Sequence, residues 1–448
     1  MSTTGTSATA DAISRASHPL LAGEPDYEPL TDLIGDAPYV LLGEASHGTD
    51  EFYRERAEIT KRLVESGRVQ AIAVEADWPD AYRVNCYVQH ASDDTNADEA
   101  LADFQRFPTW MWRNEIVRDF VEWLRNHNAS LRDGERKVGF YGLDLYSLSR
   151  SAEAVITYLD DVDPAAAQRA RKRYGCFEYF ANNDQAYGYS ASTGVSEPCE
   201  DEVVEQLLDL QSRTAAIVAA DGHLAEDRAF YAEQNARLVI DAERYYRSMF
   251  QRNISSWNLR DIHMADTLDA LEQHLTRYLG RVGIAVWAHN SHLGDARATG
   301  MGASGELNLG QLVRQRHGDQ VRLIGFTTHR GWVTAASNWD EPPEFKQVRP
   351  ALPESYEALF HETGIERFFL PLNDGTDISE ALRERRLERA IGVIYRPETE
   401  RWSHYFDASL PDQFDAVLHF DESHAVRPLE HSAGWPDPDL PETYPFTV

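Results

Sequence analysis

Lysine is nearly missing from this 448-residue chain, which holds only Lys61, Lys137, Lys172 and Lys346. Basic residues as a whole are outnumbered, 43 Lys plus Arg against 74 Asp plus Glu, for a net charge of −31. The acidic residues are spread along the chain. No basic face for nucleic acid is expected from such a balance, because phosphate contacts need Lys and Arg. Self-repulsion of this size works against a compact state at low salt, so a halophilic protein is expected. Cysteine is scarce too. Cys86, Cys176 and Cys199 are too few for a disulfide framework, and no C-x-x-C pair suggests zinc. A cytoplasmic location follows as the default.

Long apolar runs are absent: none approaches the roughly 18 residues of a membrane-spanning helix. The first residues, MSTTGTSATADAIS, have neither a basic start nor an apolar stretch, so a secretory signal is not expected. Residues 1–17 read as a disordered tail. The chain as a whole is 42% hydrophobic and 11% aromatic, enough for a sizeable core.

That core is organised around 39–56, YVLLGEASHGTDEFYRER. A short apolar run bounded by Gly reads as a buried strand. Asp50 and Glu51 suit the positive end of a helix that follows. Glu44 and His47 then lie on the turn beyond the carboxyl end of the strand, where open α/β sheets bind ligands. The pattern recurs. Apolar runs end in Glu75, in Asp144, in His289 with His292 just after, and in two Thr leading to His329. Five runs that each deliver an ionisable residue point to one shared site.

The fold class is α/β, with a mostly parallel central sheet flanked by helices and a large all-helical insertion. The boundaries expected are 18–146 and 281–448 for the core and 147–280 for the insertion, where strand signals vanish. The run at 69–74 is expected to pair with the first strand in a βαβ unit. Trp110 to Asn126 reads as one long amphipathic helix. Residues 390–395 read as a strand. In the insertion, Tyr187 and Tyr189 sit on an aromatic loop suited to a lid over a cleft. Arg56 shares the buried face of its helix and needs a carboxylate or a substrate oxygen.

A His held by carboxylates has a fixed tautomer and can take a proton from water. Neighbouring anions raise its pKa, so a base at neutral pH needs an offset, from a helix N-terminus or from Arg56. His289 and His292 suit oxyanion stabilisation or protonation of a leaving group. Two rivals use the same residues. Glu44-Ala-Ser-His-Gly48 is a near-miss to the G-x-S-x-G nucleophile elbow, with Ser46 as nucleophile. A divalent metal on His47, Glu75 and His289, with Glu44 beside them, is the other.

The motifs LLGEASHG with Arg56 downstream, AVEADWPD, YGLD, WAHNSH, RWSHYF and QFDAVLHFDES resemble the erythromycin esterase family, from about Pro38 to Leu429. The resemblance implies a metal-independent esterase that opens a lactone by water attack. It implies His47 as general base, Glu44 and Glu75 as its carboxylates, and His289 as the second essential His. Arg56 and His292 then line the site; Asp144, at its own strand end, is read as a substrate-binding residue with them. The substrate class is a small-molecule ester or lactone, with no nucleic-acid or membrane partner; nothing in the sequence sets an oligomeric state. Distant relatives of the group include metal-dependent proteases and haem-binding proteins, so a metal-dependent hydrolase or a non-catalytic metal- or haem-binding protein is the alternative.

The charge balance sets a first test. The unfolding temperature is expected to rise between low and molar salt; a flat or falling profile would refute the halophilic reading.

Overall fold

The computed structural model describes residues 8–21, 26–132, 135–180, 183–221, 223–250, 256–372 and 375–430. The strands are β1 (His18–Pro19), β2 (Tyr39–Leu42), β3 (Ala71–Asp77), β4 (Gly139–Asp144), β5 (Ile284–Trp287), β6 (Val321–Ala335), β7 (Glu344–Val348), β8 (Arg367–Pro371), β9 (Arg386–Arg389), β10 (Tyr405–Ala408) and β11 (Ala416–Ser423). Nine of them form one sheet in the order β1-β8-β11-β6-β2-β5-β3-β4, with β7 also paired to β6. From β11 to β4 the pairing is parallel. β1, β7 and β8 pair antiparallel. The architecture is α/β, a mostly parallel sheet flanked by helices.

The order corrects one expectation. β2 and β3 do not pair, because β5 lies between them, with Leu41 opposite Val286 on one side and Ala73 opposite Val286 on the other. The strand that resumes after the helical segment is threaded into the middle of the first βαβ unit. The carboxyl ends of β2, β5, β3 and β4 therefore stand side by side.

Side chains alternate across the sheet, as the period of two requires. Tyr39, Leu41, Ile284 and Val286 join one core. Val40, Leu42, Ala285 and Trp287 join the core on the opposite face. Between β4 and β5 the described residues form six helices and no strand, from Leu148–Val162 to Ser256–Leu279. Their buried residues, such as Val155, Ala236 and Leu268, belong to the same core as Tyr39 and Leu41. The helical segment is thus packed onto one face of the sheet.

Several local expectations are corrected. Residues 8–16 of the expected tail form a helix that buries Ala10 and Ile13; residues 1–7 lie outside the described ones. The expected helix at 110–126 begins only at Glu115, because the Asn114 side chain accepts from the Val117 N–H and caps it there. That frees Trp112 from the helix. Residues 390–395 make isolated bridges, Ile391 to Ser46 and Ile394 to Ala336, not a strand. β6 runs on to Ala335, so His329 falls within it and stacks on His361 at 3.9 Å. Cys176 and Cys199, whose Cα atoms are 6.2 Å apart, form a disulfide that their spacing did not indicate.

Tyr187 is not on a loop. It lies in the helix Asp184–Ser192, fully buried. Its hydroxyl donates to Glu243 (2.8 Å) and accepts from the Cys199 N–H (2.9 Å). Tyr189, by contrast, is exposed. Tyr187→Phe leaves buried partners without a hydrogen bond, so a loss of about 1–3 kcal/mol in unfolding free energy is expected, read by denaturant titration. Wild-type stability with a changed substrate affinity would restore the lid role.

Candidate active site

The turn after β2 is shaped by what packs on it. A Cβ on Gly43 would stand 2.1 Å from the Asn290 side-chain oxygen, and one on Gly48 would stand 1.8 Å from the Thr334 carbonyl oxygen. Glycine is needed at both places for close approach. Between them the Ser46 hydroxyl, fully buried, hydrogen-bonds the Thr49 hydroxyl. Ser46 does not line the cavity described below. The resemblance to a nucleophile elbow reflects a packed turn.

His47 is held by a relay. Its Nδ1 donates to Glu44 Oε1 at 2.9 Å, which leaves Nε2 as the proton acceptor. Glu44 Oε2 accepts from Arg56 Nη2 at 2.6 Å. Arg56 is wholly buried, its guanidinium 4.5 Å from the Tyr53 ring and 5.3 Å from the Trp287 ring. Neither Glu44 nor Arg56 reaches the cavity wall. The substrate contact expected of Arg56 is thus replaced by a place behind Glu44.

Glu75 ends β3 and ties the site together. Its Oε2 accepts from the His289 backbone N–H at 2.9 Å, and its Oε1 accepts from Arg260 Nη2 at 2.7 Å. The Trp112 indole N–H donates to the Glu75 carbonyl at 3.2 Å. Arg260 also grips Asp144 with two bonds, of 2.9 and 2.7 Å. It stems from the first turns of the helix Ser256–Leu279, the last of the helical segment. The next residue, Asp261, accepts from His292 Nδ1 at 2.9 Å, and Trp257 stacks on the His292 ring at 4.3 Å. Arg260 Nη1 lies 3.0 Å from His292 Nε2 and has only hydrogens to offer, so Nε2 accepts and the proton sits on Nδ1.

His289 is fixed the other way round. Its Nδ1 accepts from the Ser291 backbone N–H at 3.2 Å, so the ring proton is on Nε2. That Nε2 is buried and makes no hydrogen bond, although the Ala45 carbonyl is close enough to favour its protonated form. The His47 and His289 rings are 4.8 Å apart.

The two imidazoles are driven apart electrostatically. Burial pushes the His47 pKa down, but the Glu44 hydrogen bond and the charges of Glu75 and Glu44 prevail and hold it above the ordinary value. Arg260 works against that rise. The cationic offset expected from Arg56 is therefore supplied by Arg260. Burial, and then the neighbouring His47, push His289 well below the ordinary value. Burial opposes ionisation of Glu75, yet His292 and His47 when they carry a second ring proton, together with Arg260, hold its carboxyl far below the usual range. Asp144 is likewise lowered, against burial, chiefly by Arg260.

His47, Glu75, Asp144, His289 and His292 line one cavity of about 310 Å³ with Asp77, Arg106, Tyr146, Trp257 and Arg260. Among the described residues, no group of three or more His, Cys, Asp or Glu has the geometry to hold a metal ion. The donor set explains why His47, Glu75 and His289 do not fit one. Both Glu75 oxygens are already taken, one by a guanidinium that a cation would have to displace.

Sequence reasoning placed Glu44, His47, Glu75, Asp144, His289 and His292 at this site, and the structure brings them together; His329 lies elsewhere. It missed Arg260, Asp261 and Trp257. Their one signal was an Arg-Asp pair opening a long helix, a pattern more often solvent-exposed.

The fold and the cavity define a class: an α/β protein with a histidine–carboxylate site at the carboxyl ends of a parallel sheet, walled by a helical segment. Within that class the chain belongs to the erythromycin esterase family, whose model matches residues 64–423. The match takes in Glu75, Asp144, Arg260, His289 and His292 and begins after the Glu44–His47 turn. Erythromycin esterase type II of Escherichia coli is 24% identical over 330 residues, 69% of this chain and 73% of that one. The type I enzyme of the same organism is 24% identical over 334 residues, 71% and 76% of the two chains. Two solved structures share the fold. A succinoglycan biosynthesis protein superposes with a TM-score of 0.73 at 20% identity, over 95% of this chain and all of that one (100%). A mutant erythromycin esterase in its open conformation superposes with a TM-score of 0.64 at 20% identity, over 90% and 96%.

Arg260→Leu would strand two buried carboxylates. A loss of about 3–5 kcal/mol in unfolding free energy is expected from urea titration, the scale for breaking a buried ion pair. A loss below about 1 kcal/mol, the scale of exposed pairs, would show that Glu75 and Asp144 do not depend on it.

Proposed function

We propose that this protein hydrolyses a carboxylic ester or lactone with a water molecule activated by His47. One observation carries the reading: a base with its Nδ1 tied to Glu44 stands beside a neutral imidazole whose Nε2–H has no partner. In the reaction, His47 Nε2 takes a proton from water as the oxygen attacks the carbonyl carbon. The carbonyl oxygen gains negative charge and accepts from the His289 Nε2–H. Collapse breaks the acyl C–O bond, and the proton on His47 passes to the leaving alkoxide. A donor aimed at developing charge and a positioned base supply the main terms of acyl transfer.

Glu44 and Arg56 act through His47, as positioning residues. Glu75 holds the His289 backbone and adds negative charge that stabilises the His47 cation formed on attack. His292, held by Asp261 and Arg260, and Asp144 complete the wall. The cavity is at the low end of ligand pockets, which run from roughly 300 to 1,000 Å³. It suits a small ester, or the reacting part of a larger one such as a macrolide, the substrate named for the Escherichia coli relatives. The acidic, lysine-poor chain is read as working in a high-salt cytoplasm.

The test is hydrolysis of an ester and lactone panel, erythromycin included, by chelator-treated protein in high salt, read by mass as gain of one water. His47→Ala is expected to lose roughly a hundredfold or more in rate, and Ser46→Ala far less. Because the His47 pKa is raised and the base must be neutral, kcat/KM should rise with pH through a value above that of an ordinary histidine, roughly 6.5. Glu44→Gln keeps an acceptor for Nδ1 but removes the negative charge that helps raise the pKa, so the limb should move to lower pH. Equal losses in the Ser46 and His47 variants would favour a serine nucleophile, and activity that returns only with added metal would overturn the water-and-histidine mechanism.

A further inference from the structure

One carboxylate on the cavity wall takes no part in this chemistry. Asp77 follows Glu75 by two residues, at an irregularity in the β3–β4 register that sets Asp77 opposite Asp144. It stands at the N-cap of the helix Trp78–Val88, the position where an Asp side chain ordinarily caps, yet it makes no cap hydrogen bond. Its Oδ2 accepts from Arg106 Nε at 3.2 Å. Its Oδ1 has no partner, although the residue is only 5% exposed. An unpartnered buried carboxylate oxygen is unfavourable unless something fills the place.

The surroundings say what kind of group would. Asp80, one turn on, lines the same cavity. Its ion-pair contact is Arg150, at 2.5 Å but outside hydrogen-bond geometry, with 44% of the Arg150 side chain exposed, and Asp77, Asp103 and Arg106 are also near enough to act on its charge. Four carboxylates line the cavity (Glu75, Asp77, Asp80, Asp144) against two guanidiniums (Arg106, Arg260). Arg260 is committed to Glu75 and Asp144, and Arg106 lies over the Tyr146 ring at 4.2 Å. Burial and Asp77 push the Asp80 carboxyl up to about 8, and burial with Asp144 raises Asp77 against the pull of Arg106. A cation at this place would relieve that repulsion. The wall also carries the aromatic rings of Phe104, Phe107, Trp112 and Trp339, surfaces that accept alkylated cations.

We propose that Asp77, backed by Asp80, forms a subsite for an alkylammonium group carried by the substrate, whose N–H donates to the free Asp77 Oδ1. The word substrate rests on the hydrolase reading; recognition of the cation does not. The subsite selects esters or lactones that bear a protonated amine over neutral ones of the same shape.

The probes are 2-(dimethylamino)ethanol and its neutral isostere 3-methylbutan-1-ol, titrated into the full-length protein by calorimetry at one fixed salt concentration. The amine is expected to bind at least tenfold tighter, and Asp77→Asn to abolish the preference. In turnover, the 2-(dimethylamino)ethyl ester should exceed the 3-methylbutyl ester of the same acid in kcat/KM by a similar factor. Equal binding of the two alcohols, or a preference that survives Asp77→Asn, overturns the proposal. A clear preference in binding with neither ester cleaved upholds the subsite and counts against the hydrolase reading. If Asp77→Asn does not fold, the wild-type contrast and Asp80→Asn, expected to shrink the preference, decide the matter.

Discussion

Arg260 bridges two carboxylates that would otherwise face each other in a buried site. Ionised Glu75 and Asp144 are costly to remove from water, and a guanidinium that bonds both oxygens of Asp144 and one of Glu75 offsets that cost with directional contacts. The geometry of the site follows from it. With Oε1 anchored, Glu75 turns Oε2 to the His289 backbone and so places that ring beside His47. The same guanidinium decides the His292 tautomer. Because Arg260 belongs to the helical segment and its partners to the sheet, neither part has a complete site alone.

Two histidines in one cavity are shifted in opposite directions for identifiable reasons. His47 has a carboxylate in hydrogen-bond contact and another nearby, and both outweigh its burial. His289 has a backbone N–H on its Nδ1 and a neighbour that competes for positive charge. Environments that separate two like groups are a common way to obtain a base and a donor from the same side chain. Arg260 works against the rise of the His47 pKa that Glu44 and Glu75 cause.

Much of the site was readable because strand ends are readable. Short apolar runs stop where the chain leaves the sheet, and the next ionisable residue is then at the edge where ligands bind. That logic reached Glu44, His47, Glu75, Asp144, His289 and His292. It failed for His329, since β6 continues past the expected end and carries that residue along with it. It also misjudged Tyr187, whose aromatic neighbourhood looked like a loop but is a buried helix joined to Glu243. Asn114 shows the local version of the error: a cap that forms only with the right backbone ended what the apolar spacing had continued.

Composition and periodicity by themselves determined the α/β class, the run of helices without a strand between β4 and β5 among the described residues, the acidic character of the chain and the set of strand-end groups, because each depends on neighbours in sequence. Strand order was decided only by the tertiary structure. β5, from far along the chain, enters between β2 and β3 and sets His289 between His47 and Glu75. The partners of the ionised groups were decided there too. An Arg and an Asp at the start of one helix carry no local sign of the two carboxylates and the imidazole they will meet. Register, strand order and long-range ion pairing depend on packing between distant segments, and periodicity along the chain holds no record of it.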